Sequence, residues 1–480
     1  MKRILNNLFP GSSGPYTYWW FMPSALILVW VLFKWAYPFP DFFVDSYTYI
    51  RAAADHDSIS YRPIGYSLFL RLVHSISVKD LFLVTIQYAL VQSASLYLFF
   101  SLRRWISLSV GTERILLAFI LLDPLVLYVS NCVSSDALFT ALSLVWIAGL
   151  LGLIRRPSWS RLVGVTILLA MIFTIRYNAL YYPVVAAVAF LLCEKKFGYK
   201  AAGIAAGLLV VVAGTTWIKE LTRRQTGAAV FSAFSGWQMA NNALNMYPYI
   251  PTDTGAQSSP EFRQLAVITQ RYFDSAGASL RNKTPSATTA YMWEKGSPLK
   301  RYFSIYQQTN HLSYFDAWNR VSPVFSKYGY DLVRKHPLAF GRYYCLPSAQ
   351  RFFLPPLEVF VRYNDGKDTV DAVARDWFRY RTTRVTVYSP TVQAVLLQPL
   401  SWLFLFLNGA FVVTAFLVLR TGRSANATVF KFIGAYFLAN AGFCIFAAPN
   451  ELRYQVVPLI LLFMFTVCGL SAKMHAKIKR

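Results

Sequence analysis

About ten apolar runs of bilayer-crossing character, the pair around Arg176 being short, leave this 480-residue chain few folds to choose from. They lie near 17–37, 80–100, 115–131, 136–154, 162–176, 177–193 and 201–218, with three more near 394–419, 431–448 and 455–472. Charged residues are 14% of the chain, well below the roughly 25% of soluble domains. The expected fold class is mainly α, a polytopic membrane bundle of about ten transmembrane helices. Residues 1–218 read as an N-terminal transmembrane module whose first loop is 38–79. Residues 219–393 read as a mixed extramembrane segment or soluble domain, and 394–480 as C-terminal transmembrane helices.

The formal charge of +25 has a topological meaning. With the N-terminus inside, the short inner connections carry Arg103, Arg104 and Arg114; Arg155, Arg156 and Arg161; Lys195, Lys196 and Lys200; and Arg420, Arg423 and Lys431. The tail adds Lys473, Lys477, Lys479 and Arg480. This is the positive-inside pattern, and it accounts for the basic residues without nucleic acid as a partner. Lys2 and Arg3 precede an apolar stretch of about twenty residues with no small-residue cleavage site, which reads as a retained span rather than a signal peptide. The cysteines have no paired spacing, so neither a disulfide framework nor a zinc site is indicated.

The 219–393 segment is broken by turn-forming pairs such as Tyr247-Pro248 and Ser297-Pro298. Glu261 to Phe273 and Phe325 to Arg334 read as amphipathic helices, and Arg381 to Tyr388 alternates like a strand. Its aromatic residues, Tyr343, Tyr344, Phe352 and Phe353 among them, suit an interface lid, a sugar-stacking surface or ordinary core packing. Asn282-Lys283-Thr284 matches a glycosylation sequon.

Polar chemistry collects on the outer face. The first loop holds Asp41, Asp45, Asp55 and Asp57 interleaved with Arg51, Arg62 and Arg71. An ionised carboxylate at a membrane surface can take a proton from an incoming hydroxyl or amine, and nearby arginines keep it charged. Asp55 and Asp57 also suit plain loop solvation. Arg176, between two apolar runs, and Arg453 are placed to grip a lipid phosphate, or else to anchor headgroups by snorkelling. Asp136 either caps a helix or joins the site, with Ser134 and Ser135 as alternative caps. Asp123 with Pro124 marks a kink in the third run. No cofactor is required by the spacing. A divalent cation is compatible with a convergence of Asp41, Asp45, Asp136 and Glu451.

Asp45-Ser-Tyr-Thr-Tyr49, Arg62-Pro-Ile-Gly-Tyr66, Ser135-Asp136-Ala-Leu-Phe139, Thr174-Ile-Arg-Tyr-Asn178 and Glu451-Leu-Arg-Tyr454 occur in this order. The set resembles the GT-C glycosyltransferases, the group that includes dolichyl-phosphate-mannose-protein mannosyltransferases and aminoarabinose transferases. The likeness covers roughly 17–200 and 440–470. It implies a sugar transferred with inversion from a polyprenyl-phosphate carrier to a glycan, lipid or protein acceptor, on the periplasmic side of a bacterial inner membrane. It implies Asp45 as general base, with Asp41 the fallback. Tyr49, Arg62, Asp136, Arg176, Glu451, Arg453 and Tyr454 would bind substrate. Ser46 stands where the family often has a second acid. A transporter or flippase of lipid-linked sugars is the alternative, and it predicts polar residues near mid-bilayer along a route between both faces.

Overall fold

All ten apolar runs are helical in the computed structural model, which describes residues 17–251, 260–281, 284–420 and 424–478. The sequon at Asn282-Lys283, Arg423 and the basic residues at both ends of the chain lie outside the described residues or side chains. The first half contains α1 (Thr17–Ala36), α2 (Val44–Ala54), α3 (Gly65–Ile76), α4 (Asp80–Arg103), α5 (Val110–Leu122), α6 (Pro124–Asn131), α7 (Ser135–Arg155), α8 (Trp159–Ile175), α9 (Tyr182–Leu192) and α10 (Phe197–Thr226). The extramembrane segment adds α11 (Ala233–Leu244), α12 (Arg263–Arg281), α13 (Pro298–Thr309), α14 (Tyr314–Lys335) and α15 (Ala372–Phe378). The chain closes with α16 (Val392–Arg420), α17 (Ser424–Ala447) and α18 (Val456–Ile478).

Six of these helical stretches are long and apolar enough to cross a membrane: Asp80–Arg103, Ser135–Arg155, Phe197–Thr226, Val392–Arg420, Asn426–Ala447 and Leu452–Ser471. By length and composition this is a multi-pass helical membrane protein. The other four expected spans are shorter or interrupted. Phe21–Ala36, Trp159–Ile175 and Tyr177–Leu192 are apolar but short. The third run is cut at Asp123, whose carboxylate caps α6 by accepting from the Leu125 N–H at 2.9 Å. A 17-residue helix rises only about 26 Å against a hydrocarbon core of about 30 Å.

Among the described residues there is no β-strand, only two isolated bridges. Arg381 to Tyr388 is therefore corrected from strand to irregular chain. Its sole bridge pairs Arg384 with Thr369. Its alternation arises because Val385 is buried while Arg384 is exposed. Among its described residues the 219–393 segment is helical and irregular rather than mixed.

Two contacts fix the loop that carries Asp45. Asp41 bridges in parallel to Cys132, with its N–H donating to Asn131 O at 3.0 Å and its C=O accepting from Val133 N at 3.1 Å. This ties the start of the loop to the α6–α7 connection. At the other end, a Cβ on Gly65 would lie 2.6 Å from the Thr174 carbonyl oxygen, so glycine permits α3 to approach the end of α8. Behind the loop, Phe42, Ile50, Tyr66 and Val133 share a core with Val370, Ala374, Phe378 and Val385 of the extramembrane segment. Most of the remaining extramembrane helices enclose a second core around Trp237, Leu265, Trp318 and Phe325. There α11 and α14 pack closely: a Cβ on Gly236 would clash with the Ser322 carbonyl oxygen.

Candidate functional site

Asp45 lies in the first turn of α2, where the exposed N–H groups of the helix favour negative charge. One turn further along the same face of α2, Tyr49 packs edge-on to Tyr66 at 4.9 Å and its hydroxyl is 3.0 Å from Ser135 Oγ. Tyr66 in turn donates to Gln87 Oε1 at 2.6 Å. The Gln87 amide donates to the Ser130 and Cys132 carbonyls. The loop is thus fixed to α4 and to the α6–α7 connection through buried polar contacts, which are costly to break.

Six charged side chains from sequence-distant segments meet here. Arg62 Nη2 is 2.5 Å from Asp45 Oδ1, and Arg453 Nη1 is 3.4 Å from Asp45 Oδ2. Arg453 Nε also contacts Glu451 Oε2 at 2.7 Å, and its Nη1 lies 3.9 Å from Asp136 Oδ2. Arg176 pairs with Asp136. Ser134 accepts from the Asp136 N–H as the helix cap, so the Asp136 carboxylate is free to hold Arg176. Three carboxylates face three guanidiniums. Aromatic rings buttress the cations: Arg176 and Arg453 each lie 4.6 Å from the Tyr454 ring, and Arg62 lies 4.7 Å from Phe234. Burial alone would push the Asp45 carboxyl up. Arg62, then Arg453, and more distantly Arg176 more than offset this and hold it below the ordinary carboxylate range.

The cluster lines a cavity of about 260 Å³. Asp45, Tyr49, Arg62, Asp136, Arg176, Arg453 and Tyr454 all contribute to its wall. Glu451 and Asp41 do not. Glu451 acts through Arg453, which it orients. The Asp41 carboxylate instead accepts from the Asn364 N–H at 2.7 Å, and burial pushes it up to about 7. Asp55 is exposed and Asp57 half-buried, both outside this cavity. Among the described residues no group of three or more His, Cys, Asp or Glu side chains gathers as a metal site.

Sequence reasoning missed part of the wall. Phe231, Ser232, Phe234, Ser235 and Gln238, in and just before α11, line the same cavity, with Phe234 against Arg62. These residues are uncharged and conform to no motif, so their one signal was position in the extramembrane segment. Tyr344 and Phe352 are core residues, whereas Phe353 is 39% exposed. A second cavity of about 180 Å³ shares Tyr61, Arg62, Tyr177, Phe231 and Ser232 with the first. It extends along Phe173, Gly214, Trp217, Ile218 and Leu221 of α8 and α10.

No protein-family model, curated protein or solved structure matches the chain.

Proposed function

We propose that this protein is an integral membrane glycosyltransferase of GT-C type. It moves a sugar from a polyprenyl-phosphate carrier to an envelope glycan, lipid or protein acceptor. In this reading all ten apolar helical runs cross a bacterial inner membrane and the cavity opens to the periplasm. The observation that carries it is the convergence of Asp45, Arg62, Asp136, Arg176 and Arg453 on one cavity with an apolar annex beside it. The guanidiniums suit a phosphate, the annex suits an isoprenoid chain, and Asp45 suits an acceptor proton.

The acceptor oxygen attacks the anomeric carbon and gives its proton to Asp45. The bond from that carbon to the phosphate oxygen breaks, and the electron pair leaves on the phosphate, steadied by Arg176 and Arg453. Free Asp45 is ionised but weakly basic, because two arginines hold it. A bound phosphate draws those guanidiniums to itself, which raises the basicity of Asp45 when a substrate is present.

The test pairs a deletion strain with the purified enzyme. Mass spectrometry of envelope glycans should show one sugar missing, restored by the wild-type chain and not by Asp45→Asn. In vitro, Asp45→Asn should slow consumption of the polyprenyl-phosphate sugar by about 10²–10⁴-fold with insertion intact. Full activity of that variant would sink the assignment. A lipid-linked sugar that crosses the bilayer unconsumed would identify a flippase instead.

A further inference from the structure

The extramembrane wall contains a cation that the transfer chemistry does not use. The Lys300 ammonium sits among five rings, 5.0 Å from the Trp237 and Trp318 centroids, 5.4 Å from Phe303, and 5.5 Å from Trp293 and Tyr314. It donates to the Tyr314 hydroxyl at 2.9 Å, and no carboxylate among the described residues pairs with it. Trp237, Phe303 and Trp318 form a buried floor. Trp293 and Tyr314 form a rim, 46% and 45% exposed. Both rim rings lie nearly parallel to Trp318, at 16° and 14°.

This platform abuts the cavity through two of its lining residues. Tyr61, which lines both cavities, contacts the Tyr314 and Trp318 rings. Phe234, beneath Arg62, contacts Trp293 and Trp318. A cation held only to brace the fold needs no exposed rim. Large aromatic faces left open to water mark a binding surface, and flat rings suit the C–H faces of a sugar. Unused ammonium protons suit an anion on that sugar. The surrounding 219–393 segment has the matching sign, with 22 Lys and Arg against 12 Asp and Glu.

We infer that Lys300, Trp293 and Tyr314 form a subsite for an acidic glycan, a saccharide bearing carboxylates, beside the cavity. The inference rests on the transferase reading only in making this glycan the acceptor. Its test is calorimetry on the full-length protein in lipid nanodiscs, titrated with tetragalacturonate and with the neutral methyl ester of that tetramer. The acid should bind saturably, and Lys300→Met should weaken it by about tenfold or more. The ester should bind more weakly and be indifferent to that substitution, while Trp293→Ala should weaken both ligands. Thermal unfolding reports whether each variant folds, and if Lys300→Met does not, the preference for acid over ester and the Trp293→Ala result decide.

Equal binding of acid and ester, or no saturable binding of the acid, overturns the inference. So does quenching of Trp293 by brominated phosphatidylglycerol, read as the difference from Trp293→Phe, which would make the platform a membrane anchor. Acid binding without any sugar transfer removes the transferase reading and leaves the subsite standing. Transfer without acid binding does the reverse.

Discussion

At the scale of single residues, the site depends on keeping a largely enclosed carboxylate charged. Removing an ion from water costs several kcal/mol, and Asp45 offsets that cost through Arg62 and Arg453. Arg453 is the less replaceable of the two, because it touches Asp45, Asp136 and Glu451 together. Arg453→Met should destabilise the protein by roughly 3–5 kcal/mol, seen as a lower thermal unfolding temperature in detergent, and should abolish transfer. The depressed Asp45 value also fixes a pH profile. Its ionised form persists until pH falls through a value below the ordinary carboxylate pKa of about 3.9. The acid limb of kcat/KM, which reports the free enzyme, should therefore lie below about pH 4. In the transferase reading the limb of kcat should lie higher, because a substrate phosphate would compete for the arginines. A kcat/KM limb near pH 6 would assign the base elsewhere.

At the scale of elements, the site depends on how closely two helices approach. The Arg62-Pro-Ile-Gly-Tyr66 and Thr174-Ile-Arg-Tyr-Asn178 segments both stood out in sequence, but the packing of Gly65 against Thr174 did not. Gly65 is three residues from Arg62, and Thr174 is two from Arg176, so one contact sets the spacing of two arginines that line the cavity. Gly65→Ala should cost about 1–3 kcal/mol and lower transfer, while Gly164→Ala, where an added Cβ meets nothing within 4 Å, should do neither. Thermal unfolding and the transfer assay check both variants. The helices and the charged wall were legible because long apolar runs and rare charges stand out in a greasy chain. The α11 wall was not, because its phenylalanine, serine and glutamine form no motif and reach the cavity through tertiary packing. Arg381 to Tyr388 misled for a related reason: period-2 alternation needs only one face buried, not a paired strand.

At the scale of the whole molecule, Asp41 ties the extramembrane segment to the membrane bundle through Asn364. The neighbouring Tyr363 hydroxyl donates to the Phe39 carbonyl, Tyr380 donates to Asp80 at 2.8 Å, and the Tyr388 N–H donates to Ala36 O at 2.9 Å. Burial raises the Asp41 carboxyl to about 7, so the native state favours its protonated form. That contribution is fully present below the unfolded value near 4 and is lost as pH rises to about 7, a change of roughly 4 kcal/mol at most. Unfolding temperature in detergent should fall over this window, and Asp41→Asn should remove that part of the fall.

The balance of three carboxylates and three guanidiniums in the cavity has a kinetic consequence. The 219–393 segment carries 22 Lys and Arg against 12 Asp and Glu, so in the transferase reading an anionic substrate is drawn to it over distances that ionic strength screens within about 10 Å. The innermost cluster adds no net charge to that pull, and its contacts are enclosed by protein. If the transferase reading holds, added salt should slow the arrival of a polyprenyl-phosphate sugar while leaving its residence time nearly unchanged, a division that stopped-flow binding at two salt concentrations would resolve.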